Sequence, residues 1–364
     1  MWLLHTKTAS LRWFSRPEEV PGGYAILSHV WGADWEEDTF QAVRDATRYV
    51  PRILVSSSGG GPHSSASLCR PTTEGKRHQT EGSAQSSKAD RRTIPLPNDA
   101  NRTFHEDVAD PDPTSLSVPP RDLIQLSTKI RNLLIQADRH GFQWAWSDTC
   151  CIDKTSSTEL TEAINSMFRY YALSDVCYVY LSDVPPGASS DYTAFRASRW
   201  HERGWTLQEL IAPHNVLFMS QDWTPLGNKH MLADVLEEVT SIPASVLRLE
   251  EDFSTMSVAA RMSWAARRKT TRVEDEAYSL FGLFGVSIPT IYGEGKNAFN
   301  LLQEEEILRS SVDKTLLVWG VDDEPWIHVE DSAQLEAMTN PEGSRPPEHA
   351  LASSPSQFQR SPTV

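Results

Sequence analysis

Four short apolar runs, separated by helical patterns, set the strongest limit on how this chain can fold. "YAILSHVW" (Tyr24 to Trp31), "QWAWSD" (Gln143 to Asp148), "VCYVYLSD" (Val176 to Asp183) and "NVLFMS" (Asn215 to Ser220) have the length and the β-branched or aromatic content of buried strands. Between the first two lies "LIQLSTKIRNLLIQADRHG", where Leu123, Leu126, Ile130, Leu133, Leu134 and Ala137 make one face and Gly141 ends the helix. Between the second and third, Leu160, Ile164, Met167 and Tyr171 form another stripe. Strand and helix in alternation predict an α/β fold, with a mainly parallel sheet covered by helices on both faces.

After Ile242 the strand signal fades. "SVAARMSWAARR", "VEDEAYSLFGLFG" and "KNAFNLLQEEEILRS" read as helices, and Pro289 and the glycines of "VSIPTIYGEG" mark a connection. From Pro51 to Pro120 Ser, Gly, Pro and charged residues dominate, and Phe104 is the single Phe, Trp or Tyr. Such a stretch buries too little surface to offset its ordering entropy, so it is expected to be a disordered insertion. The predicted organisation is an α/β domain over 1–240 interrupted at 51–120, a helical module over 241–312 and a largely loose tail over 313–364.

The chain carries 49 acidic and 34 basic side chains, a net charge of -15. That balance disfavours a general affinity for nucleic acid or anionic membrane, and Arg267-Arg268-Lys269 is too short a basic run to reverse it. The four cysteines form no CxxC pair, and a disulfide between adjacent Cys150 and Cys151 would be strained; reduced thiols and a cytoplasmic location are expected. No apolar run is long enough for a membrane span.

In parallel sheets ligands bind beyond the carboxyl ends of the strands. The first strand runs into Ser28-His29-Val30-Trp31-Gly32, the second into Asp148-Thr149-Cys150-Cys151-Ile152-Asp153, and the third leads by a loop to "SRWHERGWTLQEL". At 100° per residue Leu207, Leu210 and Ile211 fall on one side of that last segment, while Trp205 and Glu209 share the other. Two readings of that pair stand open. Either Trp205 and Glu209 look into a crevice, or Trp205 docks the helical module and Glu209 is a solvated carboxylate. Ser156 and Glu159 read as a capping box, and Glu162 and Arg169 as solvated. No motif supports a Cys/His nucleophile. "YGEGKNAF" lacks the first glycine and the final hydroxyl of a phosphate loop, Thr290 and Asn297 standing there, and no zinc spacing is present.

Three of these blocks, "YAILSHVWGADWEEDTF", "WAWSDTCCIDKTSSTELTEAINSMFRYYALSDVCYVYLSDV" and "SRWHERGWTLQELIAP", together resemble the HET (heterokaryon incompatibility) domain of filamentous fungi. "ARMSWAARRKTTRVEDEAYSLFGLFGVSIPTIYGEGKNAFNLLQEEEI" is similar to the helical segment that follows HET in many such proteins. The resemblance implies a role in self/non-self recognition, with growth arrest or cell death on activation, protein partners in that signalling, and homo-oligomerisation on activation. HET domains are in turn similar to TIR domains, which implies a TIR/flavodoxin-like sheet. By position Glu209 then matches the TIR glutamate that cleaves NAD at its nicotinamide bond. NAD is implied as a substrate; no bound cofactor and no metal are expected. Ser28, His29, Trp31, Gly32, Asp148, Asp153, Arg203 and Trp205 become substrate-binding candidates. Thr206 stands where TIR motifs usually have Cys, and Ser147 replaces the aliphatic residue usual in the HET strand. A non-enzymatic module acting by assembly through the same aromatic edge is the alternative.

Overall fold

A computed structural model describes residues 1–32, 37–48, 126–187, 192–309, 313, 315–317 and 351–359. The chain divides into Met1–Val50 with Pro119–Val364, and Pro51–Val118. The insertion expected at 51–120 lies outside the described residues, and so does Cys69.

Seven strands form one sheet in the order β2-β1-β4-β3-β5-β6-β7. The four runs singled out in the sequence are its centre: β3 (Ala25–His29), β4 (Trp144–Trp146), β5 (Val176–Tyr180) and β6 (Val216–Met219), with β3 parallel to both β4 and β5, and β5 parallel to β6. Counting only these four in chain order, the sheet reads 2-1-3-4, the order of flavodoxin-like sheets. The parallel centre is buried on both faces; every residue of β3 and β4 is buried.

Three further strands extend the sheet antiparallel: β1 (Trp2–His5) pairs with β2 (Leu11–Trp13) and with β4, and β7 (Pro225–Asn228) closes the far edge on β6. The sequence reading contained none of them. β2 has three residues, and β7 opens on Pro and contains Gly, features that are tolerated at a sheet edge and hide a strand from propensity.

The helices are α1 (Phe40–Arg48), α2 (Thr128–Arg139), α3 (Ser157–Ala172), α4 (Thr193–Arg196), α5 (Thr206–Ile211), α6 (Ala233–Thr240), α7 (Ala244–Leu247), α8 (Val258–Ser263), α9 (Asp275–Tyr278), α10 (Phe281–Phe284) and α11 (Asn297–Arg309). In α2, Ile130, Leu133, Leu134 and Ala137 are buried, and Gly141 follows with φ +84, the left-handed conformation that lets the chain leave the helix. At α3 the Ser156 side chain accepts from the Glu159 amide, but Glu159 Oε1 accepts from the Asp153 amide at 2.9 Å rather than from that of Ser156. The carboxylate thus ties down the loop after β4 instead of closing a capping box. Arg169 pairs with Glu18 across an exposed surface.

The helical segment packs directly on the α/β layer. A β-carbon on Gly282 in α10 would lie 2.0 Å from Phe168 Cβ in α3, so the two helices meet backbone to side chain. Core side chains of the sheet and of α8 to α11 belong to one continuous cluster. Of the tail expected to be loose, most lies outside the described residues, but 351–359 is packed: Phe358 is fully buried, and Gln303 clasps Ala352 by Nε2 to its carbonyl (2.8 Å) and Oε1 from its amide (2.9 Å). Among the described residues no helix is long and apolar enough to cross a membrane. Cys150, Cys151 and Cys177 are buried free thiols.

Candidate functional site

The loops leaving β3, β4 and β5 meet at the carboxyl edge of the sheet, where topology alone places a ligand crevice. A cavity of about 500 Å³ opens there, lined by His29, Trp31, Gly32, Asp148, Arg203, Trp205 and Glu209 among others. That volume is within the usual range for a small-molecule site. Seven of the nine residues picked from sequence therefore share one cavity. Ser28 lies directly beneath it. Asp153 does not line it: its carboxylate accepts from the Thr155 amide (3.0 Å), the Thr155 hydroxyl (2.5 Å) and Gln41 Nε2 (2.6 Å), which makes it a turn-forming residue.

Glu209 is carried by α5, which is buried along its whole length. The aliphatic face of Leu207 and Leu210 meets the core, as the periodicity requires, but the opposite face is covered too, so Glu209 is not a solvated carboxylate. Its carboxyl receives the Ser28 hydroxyl proton, and Ser28 Oγ in turn accepts from Trp200 Nε1 at 2.8 Å. Since an indole N–H can only donate, it fixes the serine as acceptor and turns the serine proton toward Glu209. The Tyr171 hydroxyl also meets this carboxyl, while its own proton goes to the Leu27 carbonyl at 2.8 Å. Burial raises the Glu209 pKa to about 8, against the Ser28 hydrogen bond and with the Asp148 charge adding to the rise. At neutral pH the acid form therefore predominates.

Asp148 behaves in the opposite way. Burial works to raise its pKa, but the His29 hydrogen bond, the Lys154 charge and the Trp31 indole outweigh it and hold the carboxyl well below the usual carboxylate range. His29 Nε2 lies 3.0 Å from Asp148 Oδ1 and Trp31 Nε1 donates to Oδ2 at 2.8 Å. On the other side of the imidazole, Lys129 Nζ is 2.8 Å from Nδ1 and is itself held by Glu37 at 2.5 and 2.6 Å. An ammonium only donates, so Nδ1 accepts and the Nε2 proton faces Asp148. The Glu37–Lys129 pair thereby sets the tautomer of a cavity-lining histidine, and neither residue carried a sequence signal.

The remaining wall is aliphatic in part, from Ile152, Leu160, Ile164 and Met167, and otherwise largely cationic and aromatic. Lys154 Nζ lies 3.8 Å from the Trp31 ring centroid and the Arg203 guanidinium 5.1 Å from it. Arg272, contributed by the helical segment, lies over Tyr292 at 4.3 Å. All three cations line the cavity, and none forms a salt bridge among the described residues. Thr206, at the position where a Cys was the expected type, donates to the Trp200 carbonyl (2.6 Å) and accepts from Arg268 (2.9 Å), locking the start of α5. Ser147 is buried and its hydroxyl meets that of Thr149 at 3.1 Å. Among the described residues no group of three or more His, Cys, Asp or Glu is placed to hold a metal ion.

Comparison with known proteins bears on the same region. Residues 98–193, the stretch carrying α2, β4, α3 and β5, match the family model described as Heterokaryon incompatibility protein (HET). The chain is also similar to "Vegetative incompatibility protein HET-E-1" of Podospora anserina, 50% identical over 184 residues, a match covering 49% of this chain and 14% of that relative. The chain thus spans a small part of the curated relative it matches. No solved structure matches it. The likeness to the HET family thus lies across the heart of the sheet, in residues 98–193, within a chain about half of which aligns with that relative at 50% identity.

Proposed function

We propose that this chain acts in heterokaryon incompatibility, and that it does so as an enzyme hydrolysing an N-glycosidic bond in a nucleotide of the NAD kind. What supports the reading is a buried carboxyl, Glu209, lining the same cavity as three cations, Lys154, Arg203 and Arg272, that form no salt bridge among the described residues. In a chain of net charge -15, such cations favour an anionic ligand. A cavity with convergent polar groups also speaks against assembly through a flat apolar patch.

Hydrolysis of NAD breaks the bond between C1′ of the ribose and the nicotinamide nitrogen. The electron pair leaves with nicotinamide, which departs uncharged, so the leaving group needs no acid. A water oxygen bonds to C1′, and one water proton passes to solvent. The Glu209 carboxylate stabilises the oxocarbenium character that develops on the ribose. Trp205 offers an aromatic face on the same side of α5, and Arg203 and Lys154 offer charge for the phosphates.

The test is NAD turnover by the purified chain, at high concentration to permit assembly. Glu209→Gln is expected to keep its fold and lose turnover and cell killing together. Leu207→Asp is expected to lose both by unfolding, because it puts an unpaired charge in the core. The Glu209 pKa of about 8 adds a pH signature: the free enzyme needs the ionised carboxyl, so kcat/KM should climb about tenfold per pH unit below that value and flatten above it. A folded Glu209→Gln variant that kills as strongly as the parent would sink the enzyme reading.

A further inference from the structure

Part of the cavity wall comes from the helical segment, beyond the stretch that matches the HET family. Arg272, Asp275 and Tyr292 line the cavity opposite in sequence to everything the strand ends supply. The segment is fixed to the site by backbone: Lys269 N donates to Glu202 O (2.6 Å) and Gly204 N to Lys269 O (2.8 Å), on either side of Arg203. No side chain fits at Gly204, where a β-carbon would lie 2.5 Å from Thr270 Cγ2.

The three side chains form a connected set. The Tyr292 hydroxyl donates to Asp275 Oδ1 at 2.9 Å, and the Asp275 carboxyl is also hydrogen-bonded by Trp205, one turn before Glu209. The Glu274 carboxylate accepts from the Gly293 and Gly295 amides (2.7 and 3.1 Å), which anchors the Tyr292 loop to α9. Tyr292 is therefore held at both ends, and the Arg272 guanidinium rests over its ring. Stacking occupies a face of the guanidinium and leaves its N–H donors, which lie in the plane, free to meet oxygen atoms.

We infer that Arg272 is the specificity-determining residue for the ligand's phosphate, and that the helical segment thus selects what the α/β layer acts on. The inference rests on the nucleotide reading above and names the group within it that is recognised. Arg272 is exposed and packs through its stacking on Tyr292, outside the core, so its replacement is expected to leave the fold intact. Its planar fork matches two phosphate oxygens at once, which a lysine does not.

The test titrates the full chain by calorimetry with NAD and, separately, with inorganic pyrophosphate, in parallel with steady-state turnover. Arg272→Gln is expected to weaken binding of both ligands about ten- to a hundredfold, the loss typical of a charge-assisted hydrogen bond. KM should rise by a similar factor with kcat little changed, and Arg272→Lys should recover part of the loss. An unchanged KM and unchanged pyrophosphate affinity in a folded Arg272→Gln variant would overturn the inference while leaving NAD hydrolysis standing. Pyrophosphate binding that depends on Arg272, in a chain that neither binds nor turns over NAD, would keep the phosphate site and overturn the NAD reading. A parent chain that binds neither ligand overturns both.

Discussion

At Glu209 a single carboxyl group is enclosed by a serine, a tyrosine and an indole-anchored hydrogen bond, and the consequence is thermodynamic before it is catalytic. Its folded-state pKa of about 8 lies above the ordinary value of 4.5, so the native state holds the proton more tightly than the unfolded chain does. The stabilisation from that acid form is complete below pH 4.5 and is lost as the pH rises through about 8. Glutamine reproduces the shape and hydrogen bonding of the acid and cannot ionise. Glu209→Gln is therefore expected to gain on the parent's stability by on the order of 4 kcal/mol between pH 5 and pH 9. Urea unfolding at the two pH values checks this, and a stability difference that stays constant with pH would show that Glu209 is ionised in the folded chain. Asp148, its neighbour in the cavity, has the opposite shift, and the two carboxyls are thus held in different protonation states a short distance apart. Separated values of that kind are the pattern expected of groups with separate tasks.

Among the elements, the contact of α10 with α3 has the least room. Gly282→Ala would bring a methyl within 2.0 Å of Phe168 Cβ and 2.5 Å of its Cγ, atoms close to a backbone that cannot swing aside. It is expected to destabilise by about 1–3 kcal/mol or more, the range of overpacked cores, although alanine is the better helix former. A melting temperature equal to the parent's would show that the two helices can slide apart at no cost. The central strands and the face of α5 were legible in the sequence because each leaves a local pattern: an unbroken apolar run, or a stripe at helical spacing. Trp205 and Glu209 were placed by that stripe, and their meaning came from the resemblance to HET and TIR domains. The edge strands β1, β2 and β7 were not legible, since they have only three or four residues each and β7 contains Pro and Gly. Lys129, Glu37, Arg272, Asp275 and Tyr292 were missed for another reason. Each is one charged or aromatic residue in an ordinary segment, and its place at the cavity depends on chain that folds back from a hundred or so residues away. Lys154 alone could have been found, since it follows a strand end already singled out.

At the scale of the whole molecule, the helical segment and the sheet share one hydrophobic core. Each layer covers the other's apolar face, so neither has a surface on which it could stop. The tail joins the same structure through Phe358, which is fully buried, and through the Gln303 clasp on Ala352. Calorimetry of the full chain is accordingly expected to give a single cooperative transition for everything outside the insertion, and a chain ending at Thr240 should not fold, because it would leave the covered faces of the sheet and α3 in water. Phe358→Ala offers the finer measurement. Truncating a buried phenylalanine costs roughly 3–5 kcal/mol. If the tail, the helical segment and the sheet unfold as one unit, that loss must lower the melting of all of them together, including the fluorescence of the fully buried Trp146, in β4, and Trp200, in the turn before α5. A variant in which the tail detaches while those tryptophans melt as before would instead make the tail a separable latch and divide the molecule into layers that fold one after another.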